Sequence, residues 1–282
     1  MLNLFKNYIG LGVAGNFAGH LEQAGEAVDF AKVKTKEEGA PKAIFPFYVP
    51  SLHLDEKEKF LAQYPLSSET LQFPTKRNDV DHLQIEPEVA LICEIIYQDN
   101  KVVELKARHF TAYNDCSIRC PNAHKISEKK NWGLCSKGIS TNLIEIDKFE
   151  EGGILDHYNI ASFLKRQDQL HTYGVDSPAV NYNYFHQKLI DWIIDRMNNQ
   201  PDVDPMNNIA HLLEQANYPT RAIIAIGATR YTPFGETNFL QEKDKSIVVV
   251  YDQRKYSPQD IQQMAQEEMF APDVSAVVQE VI

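Results

Sequence analysis

Runs of apolar residues broken by short polar stretches mark out the elements of this chain. "EVALICEIIY" (Glu88–Tyr97) and "VVELKARHF" (Val102–Phe110) are rich in β-formers and are separated only by the turn "QDNK". So short a break leaves no room for a crossover helix, and the pair predicts an antiparallel hairpin. "TNLIEI" (Thr141–Ile146) reads as another strand, while "RAIIAIGAT" (Arg221–Thr229) and "KSIVVVYD" (Lys245–Asp252) are continuous apolar runs that predict buried strands. "NYFHQKLIDWIIDRMN" (Asn183–Asn198) instead spaces its apolar residues at helical intervals and predicts an amphipathic helix. "SPQDIQQMAQEEMF" (Ser257–Phe270) predicts a second helix with Ser257 as N-cap. "IFPFYVP" (Ile44–Pro50) carries prolines among aromatics, which suits an edge or irregular segment. "SLHLDEKEKFLAQYP" (Ser51–Pro65) fits a short helix or a solvated turn, and "KVKTKEEGAPK" (Lys32–Lys42) a loop. Strands outweigh helices without βα alternation, so the expected fold class is α+β, mainly β.

Composition narrows the function classes. With 282 residues, 43% of them hydrophobic and 24% charged, the chain is long enough for a full core and is patterned like an ordinary globular protein. A formal charge of −11 argues against a nucleic-acid surface or a polybasic membrane anchor. No apolar run approaches the roughly 20 residues that span a bilayer, and no signal-peptide pattern opens the chain. A cytoplasmic location is expected, with no membrane partner. Cysteines 93, 116, 120 and 135 are expected to be reduced. Cys116, Cys120, His124 and Cys135 are close enough in sequence to raise a zinc site, although the usual C-x2-C knuckle is missing.

Two stretches carry candidate chemistry. Gly10, Gly12 and Gly15 spell G-x-G-x-x-G, the pattern of a dinucleotide loop. That reading needs a strand before, a helix after, and an acid ending a second strand. The hairpin and the absence of such an acid work against it. Glu86-Pro87-Glu88 leads into the first hairpin strand, where residues two apart share a face at about 6–7 Å. Asp115 lies just beyond the second strand. Carboxylates crowded on one face repel unless solvated or bridged by a cation, and oxygen donors suit Mg2+, Mn2+ or Ca2+.

These segments, in this order, resemble the fumarylacetoacetate hydrolase superfamily. The likeness rests on His20 in "GNFAGHLEQ", on "EPEVAL", "YNDCSIR" and "SKGIST", and on "IGATRYTPFG" followed by "FLQEKDKSIVVV", where Lys243-Asp244 replaces a Gly-Asp. It spans about Tyr8 to Val250. The resemblance implies a mixed β-sandwich roll over 1–282 as a single domain, with a divergent helical insertion at about 155–219. It implies Mg2+ held by Glu86, Glu88 and Asp115, with His20 as general base and Lys137 as a cation at the developing anion. Arg119, Asn114 and Thr229 would bind substrate or steady the metal loop. Gln23 stands where several family members place a glutamate that pairs with the histidine, with Glu22 and Glu26 flanking it, and Glu22 and Gln23 join His20 and Lys137 as candidate catalytic residues. The implied activity is metal-dependent hydrolase or lyase chemistry on a small 2-oxo acid or β-dicarbonyl through a metal-stabilised enolate, in a homodimer. The alternatives are a non-catalytic binding protein for an anionic metabolite on the same fold, or a dinucleotide-binding protein.

Overall fold

The computed structural model describes residues 2–30, 33–74, 82–119 and 123–282. Pro87–Gln98 and Lys101–Asn114 form the predicted hairpin, antiparallel, with Pro87 opposite Asn114 at its open end. Between them Asp99 and Asn100 both take positive φ, 50° and 63°. A two-residue type I′ turn needs that combination, and these residue types tolerate it.

The hairpin sits inside a sheet ordered Ala43–Tyr48, Ile9–Ala14, Arg221–Ala225, Pro87–Gln98, Lys101–Asn114, Lys137–Ile139 and Leu66–Ser67. A second sheet runs Gln169–Thr172, Tyr158–Arg166, Lys245–Asp252, Ser275–Val281 and Thr70–Leu71. The core lies between them: Leu11, Val89 and Leu91 of the first sheet share one cluster with Ile160, Leu164, Val248 and Val250 of the second. Each such side chain contributes about 1.5–3 kcal/mol on burial. The outward faces are covered as well. Ala90, Ile92 and Ile223 meet Phe47 and Tyr113, while Phe163, Val249 and Tyr251 lie under Ile261 and Ala265 of the helix Pro258–Glu267. Strands buried on both faces need apolar residues at every position, which is why these runs do not alternate.

The predicted helices form at His186–Asn199, with Leu189, Ile190, Ile193 and Met197 buried, and at Pro258–Glu267. Ser257 and Asp260 cap the latter reciprocally. Ala43–Tyr48 is an edge strand, as Pro46 within it suggests. The remaining expectations change. Only Ile144–Glu145 of "TNLIEI" is strand, because the Thr111 and Ser275 hydroxyls donate to the Asn142 carbonyl in place of a ladder. Of residues 155–219, His186–Asn199 and Ile209–Gln215 are helical, but Tyr158–Arg166 is an interior strand of the second sheet.

Gly10 and Gly12 lie within the strand Ile9–Ala14 rather than in a phosphate loop. A Cβ at either would fall 2.2 Å from the Phe47 or Phe45 ring. They are glycines because the neighbouring strand's aromatics press onto the backbone. Gly15, at φ 75°, turns the chain. The dinucleotide reading of Gly10, Gly12 and Gly15 is thereby corrected. No helix among the described residues is long and apolar enough to cross a membrane.

Candidate metal centre

The hairpin register builds the centre. Because Pro87 faces Asn114, Glu86 and Asp115 are the next residues beyond the ladder, and the Asp115 N–H donates to the Glu86 carbonyl at 2.9 Å. Glu88 falls on the same face as Glu86. One carboxylate oxygen from each of Glu86, Glu88 and Asp115 lies within 4.8 Å of the others, and all three residues are buried. Among the described residues no other His, Cys, Asp and Glu side chains converge in this way. The loop after Arg221–Ala225 closes the other side, with the Gly227 N–H donating to Glu88 Oε2 at 2.7 Å.

Cations ring these acids. The Lys130 ammonium lies 2.6 Å from Glu86 Oε2 and 2.6 Å from Asp115 Oδ2. Arg119 donates to Glu86 at 2.6 Å, to Glu26 at 2.7 Å, to Gln84 at 2.7 Å and to the Tyr231 hydroxyl at 2.9 Å. Lys137 stands 3.5 Å from Asp115 Oδ1 and donates to the backbone carbonyls of Asp115 and Cys116. Burial alone would raise the Glu86 carboxyl, but the Lys130 and Arg119 charges outweigh it and hold it well below the usual range. Burial, with Asp115 and Glu86 beside it, pushes Glu88 well above that range. Burial also raises Asp115, against the pull of Lys130 and Lys137.

Beyond those ammonium contacts, both Asp115 carboxylate oxygens are buried without a hydrogen bond, as are the hydroxyls of Thr229 and Tyr113. Three hard oxygen donors, one pair of them otherwise unsatisfied, fit a divalent ion of the Mg2+, Mn2+ or Ca2+ kind.

His20 enters from the first strand's exit. Asn16 pins that loop, donating to the carbonyls of Tyr184 at 2.9 Å and Ile226 at 2.8 Å. Gly19, at φ 81°, turns it into the short helix His20–Gln23. His20 Nδ1 lies 2.8 Å from the Thr229 carbonyl oxygen. A carbonyl only accepts, so Nδ1 carries the proton and Nε2 is left as acceptor. Burial lowers the imidazole pKa, which keeps the ring neutral. His20, Glu86, Glu88 and Lys130 line a cavity of about 10 Å³, the room of one water molecule.

Several expected site residues do other work. Glu22 is exposed and lines a separate hollow of about 300 Å³, so it does not reach the centre. Gln23 braces Tyr231, donating to its carbonyl at 3.2 Å and accepting from its N–H at 2.9 Å, and no bond joins it to His20. The Asn114 side chain is spent on Ser246, Gln279 and the Glu86 N–H, leaving nothing for a substrate. Lys137 and Arg119 hold the carboxylates from behind.

Lys130, Gln84 and Tyr231 were not anticipated. Lys130 belongs to "SEKKNW", a charge run in which spacing carries no sign of burial. Cys116 is buried, its thiol pushed up to about 12 by burial, while the His124 side chain is 82% exposed. Cys116, His124 and Cys135 therefore form no zinc cluster, and Cys120 lies outside the described residues.

A family model described as a family of unknown function (DUF5718) matches residues 26–281. The chain belongs to that family. No curated protein matches it by sequence. Among solved structures, apo 2-keto-3-deoxy-D-arabinonate dehydratase is similar at 12% identity and a TM-score of 0.52, over 97% of this chain and 72% of that one. The same dehydratase complexed with magnesium and 2,5-dioxopentanoate matches at 15% identity and a TM-score of 0.51, with the same 97% and 72% shares. A 5-carboxymethyl-2-hydroxymuconate delta-isomerase from Mycobacterium smegmatis matches at 11% identity and a TM-score of 0.50, over 97% of this chain and 78% of its own. These neighbours are fumarylacetoacetate hydrolase superfamily proteins, and the likeness gives this DUF5718 chain their mainly β, α+β fold.

Proposed function

We propose that this protein is a metal-dependent enzyme acting on a small 2-oxo acid or β-dicarbonyl through enolate chemistry. The observation that carries the reading is the convergence of Glu86, Glu88 and Asp115 within 4.8 Å, in a buried cavity that His20 also lines. A divalent ion held by these carboxylates, Mg2+ in the first instance, would act as a Lewis acid toward adjacent substrate oxygens. His20, neutral and fixed in one tautomer by the Thr229 carbonyl, takes a proton at Nε2. The buried, unpartnered Thr229 hydroxyl is available to donate to a substrate oxygen. Arg119 and Lys137 hold Glu86 and Asp115 in place and keep water from competing for them. Because Gln23 faces Tyr231 and His20 Nδ1 is bound to the Thr229 carbonyl, no carboxylate among the described residues is hydrogen-bonded to His20 to help it activate water. That favours proton transfer at an enolisable carbon, as in dehydration or isomerisation, over C–C hydrolysis. The similar dehydratase solved with magnesium and 2,5-dioxopentanoate supports this choice of substrate class. The proposal includes the homodimer that the family resemblance implies and the cytoplasmic location expected from the sequence pattern.

Thermal unfolding with Mg2+ and oxalate, a planar mimic of the pyruvate enolate, tests the reading. A rise in Tm that needs both additives is expected, with smaller rises for pyruvate and acylpyruvates. A folded protein whose Tm ignores every combination of ion and oxo acid overturns it.

A further inference from the structure

Lys130 follows the single 3-10 turn Ile126–Lys129, and its side chain is only 3% exposed. Its ammonium touches two of the three convergent carboxylates, at 2.6 Å each, and stands 5.0 Å from the centroid of the Phe45 ring. Mg2+ takes its oxygens at about 2.0–2.1 Å and Ca2+ at about 2.3–2.6 Å. An ion on the same Glu86 and Asp115 oxygens would overlap or abut the ammonium nitrogen. The cavity, at about 10 Å³, holds one water molecule and not two cations side by side. Charge agrees with volume. Glu86 already faces Arg119 and Lys130, and Asp115 already faces Lys130 and Lys137, before any ion is added. A divalent ion arriving with Lys130 in place would leave uncompensated positive charge in a low-dielectric enclosure.

We propose that Lys130 is a tethered cation that takes the seat of the divalent ion, so that ammonium and ion are alternative occupants of the Glu86–Asp115 pair. The inference rests on the reading of Glu86, Glu88 and Asp115 as a divalent-cation site and adds the residue that governs its occupancy. Ile126 and Lys130 both line the cavity from one short segment. Withdrawal of the ammonium therefore empties the ion's seat and widens a space too small for any oxo acid.

Mn2+ titration of the full chain by calorimetry tests this, comparing wild type, Lys130→Met and Lys130→Met/Glu88→Gln. Methionine keeps an unbranched apolar stem without the charge. The single variant is expected to bind Mn2+ about tenfold or more tightly than wild type, and the added Glu88→Gln to abolish binding. Equal affinity in wild type and Lys130→Met overturns the tethered-cation proposal and leaves the cation site standing. No Mn2+ binding by either folded protein overturns both.

A second measurement needs no variant. Amine labelling of wild type, read by mass spectrometry, should find Lys130 protected without Mn2+ and reactive once Mn2+ saturates the site. Lys130 labelling that is unchanged by Mn2+ overturns the proposal even where Lys130→Met fails to fold.

Discussion

Glu86 and Glu88 are two residues apart, and their neighbours drive their carboxyls in opposite directions. Lys130 and Arg119 hold Glu86 ionised against its burial, whereas burial beside Asp115 and Glu86 favours a proton on Glu88. Gln mimics the protonated form, so Glu88→Gln should change stability by less than about 1 kcal/mol while abolishing Mn2+ binding. Glu86→Gln takes one carboxylate from Lys130 and Arg119, which keep Asp115 and Glu26, and should cost about 1.5–3 kcal/mol in urea unfolding. A shared loss of stability in both variants would show that the two sites are electrostatically alike. His20 contributes to the pH dependence in the sense opposite to Glu88 and Asp115, whose folded carboxyls are raised. Burial depresses the folded pKa of His20 below the ordinary imidazole value. From about pH 6.5 downward the unfolded chain binds a proton that the folded chain refuses. The His20 contribution to stability therefore falls as pH drops through that window, and Tm measured against pH should decline less toward acid in His20→Gln than in wild type. The acids were legible because E-x-E and Asp115 flank one hairpin. Lys130 was not, since a lysine's burial depends on carboxylates brought from elsewhere.

At the scale of elements, the signals that succeeded are local. Asp99-Asn100 specifies its own turn, Ser257 and Asp260 their own cap, and continuous β-forming runs their own strands. Where a partner decides, the pattern misleads. The opening glycines spell a phosphate loop yet form a strand, because Phe45 and Phe47 on the adjacent strand occupy the space of a side chain. Gly12→Ala should cost about 1–3 kcal/mol through overpacking against Phe45. Gly12→Ala/Phe45→Leu should recover part of that loss, and a double variant no more stable than the single one would refute the contact as the cause. The interior strand Tyr158–Arg166 lay inside a segment read as helical, because its stability comes from Lys245–Asp252, some 90 residues away in sequence.

For the whole molecule, the two sheets and the core between them supply rigidity, and the centre hangs on one open end of that scaffold. Leu164, buried between the sheets with no exposure, tests the division. Leu164→Ala should lower unfolding free energy by about 2–5 kcal/mol and leave Mn2+ affinity unchanged, because Leu164 is not among the residues lining the ion's seat. An affinity that falls with stability would mean that core and centre are one cooperative unit. By itself the sequence determined the hairpin, the buried strands Arg221–Ala225 and Lys245–Asp252, the helices His186–Asn199 and Pro258–Glu267 and the three acids, since turn chemistry, capping and apolar runs act over a few residues. Only the tertiary structure decided which cations face those acids, which nitrogen of His20 stays free, and that Glu22, Gln23 and Asn114 serve elsewhere. Those outcomes turn on burial and ion pairing between loops far apart in the chain, such as Lys130 with Glu86, 44 residues away. Distance in sequence carries no information about a low-dielectric contact until the sheets have closed.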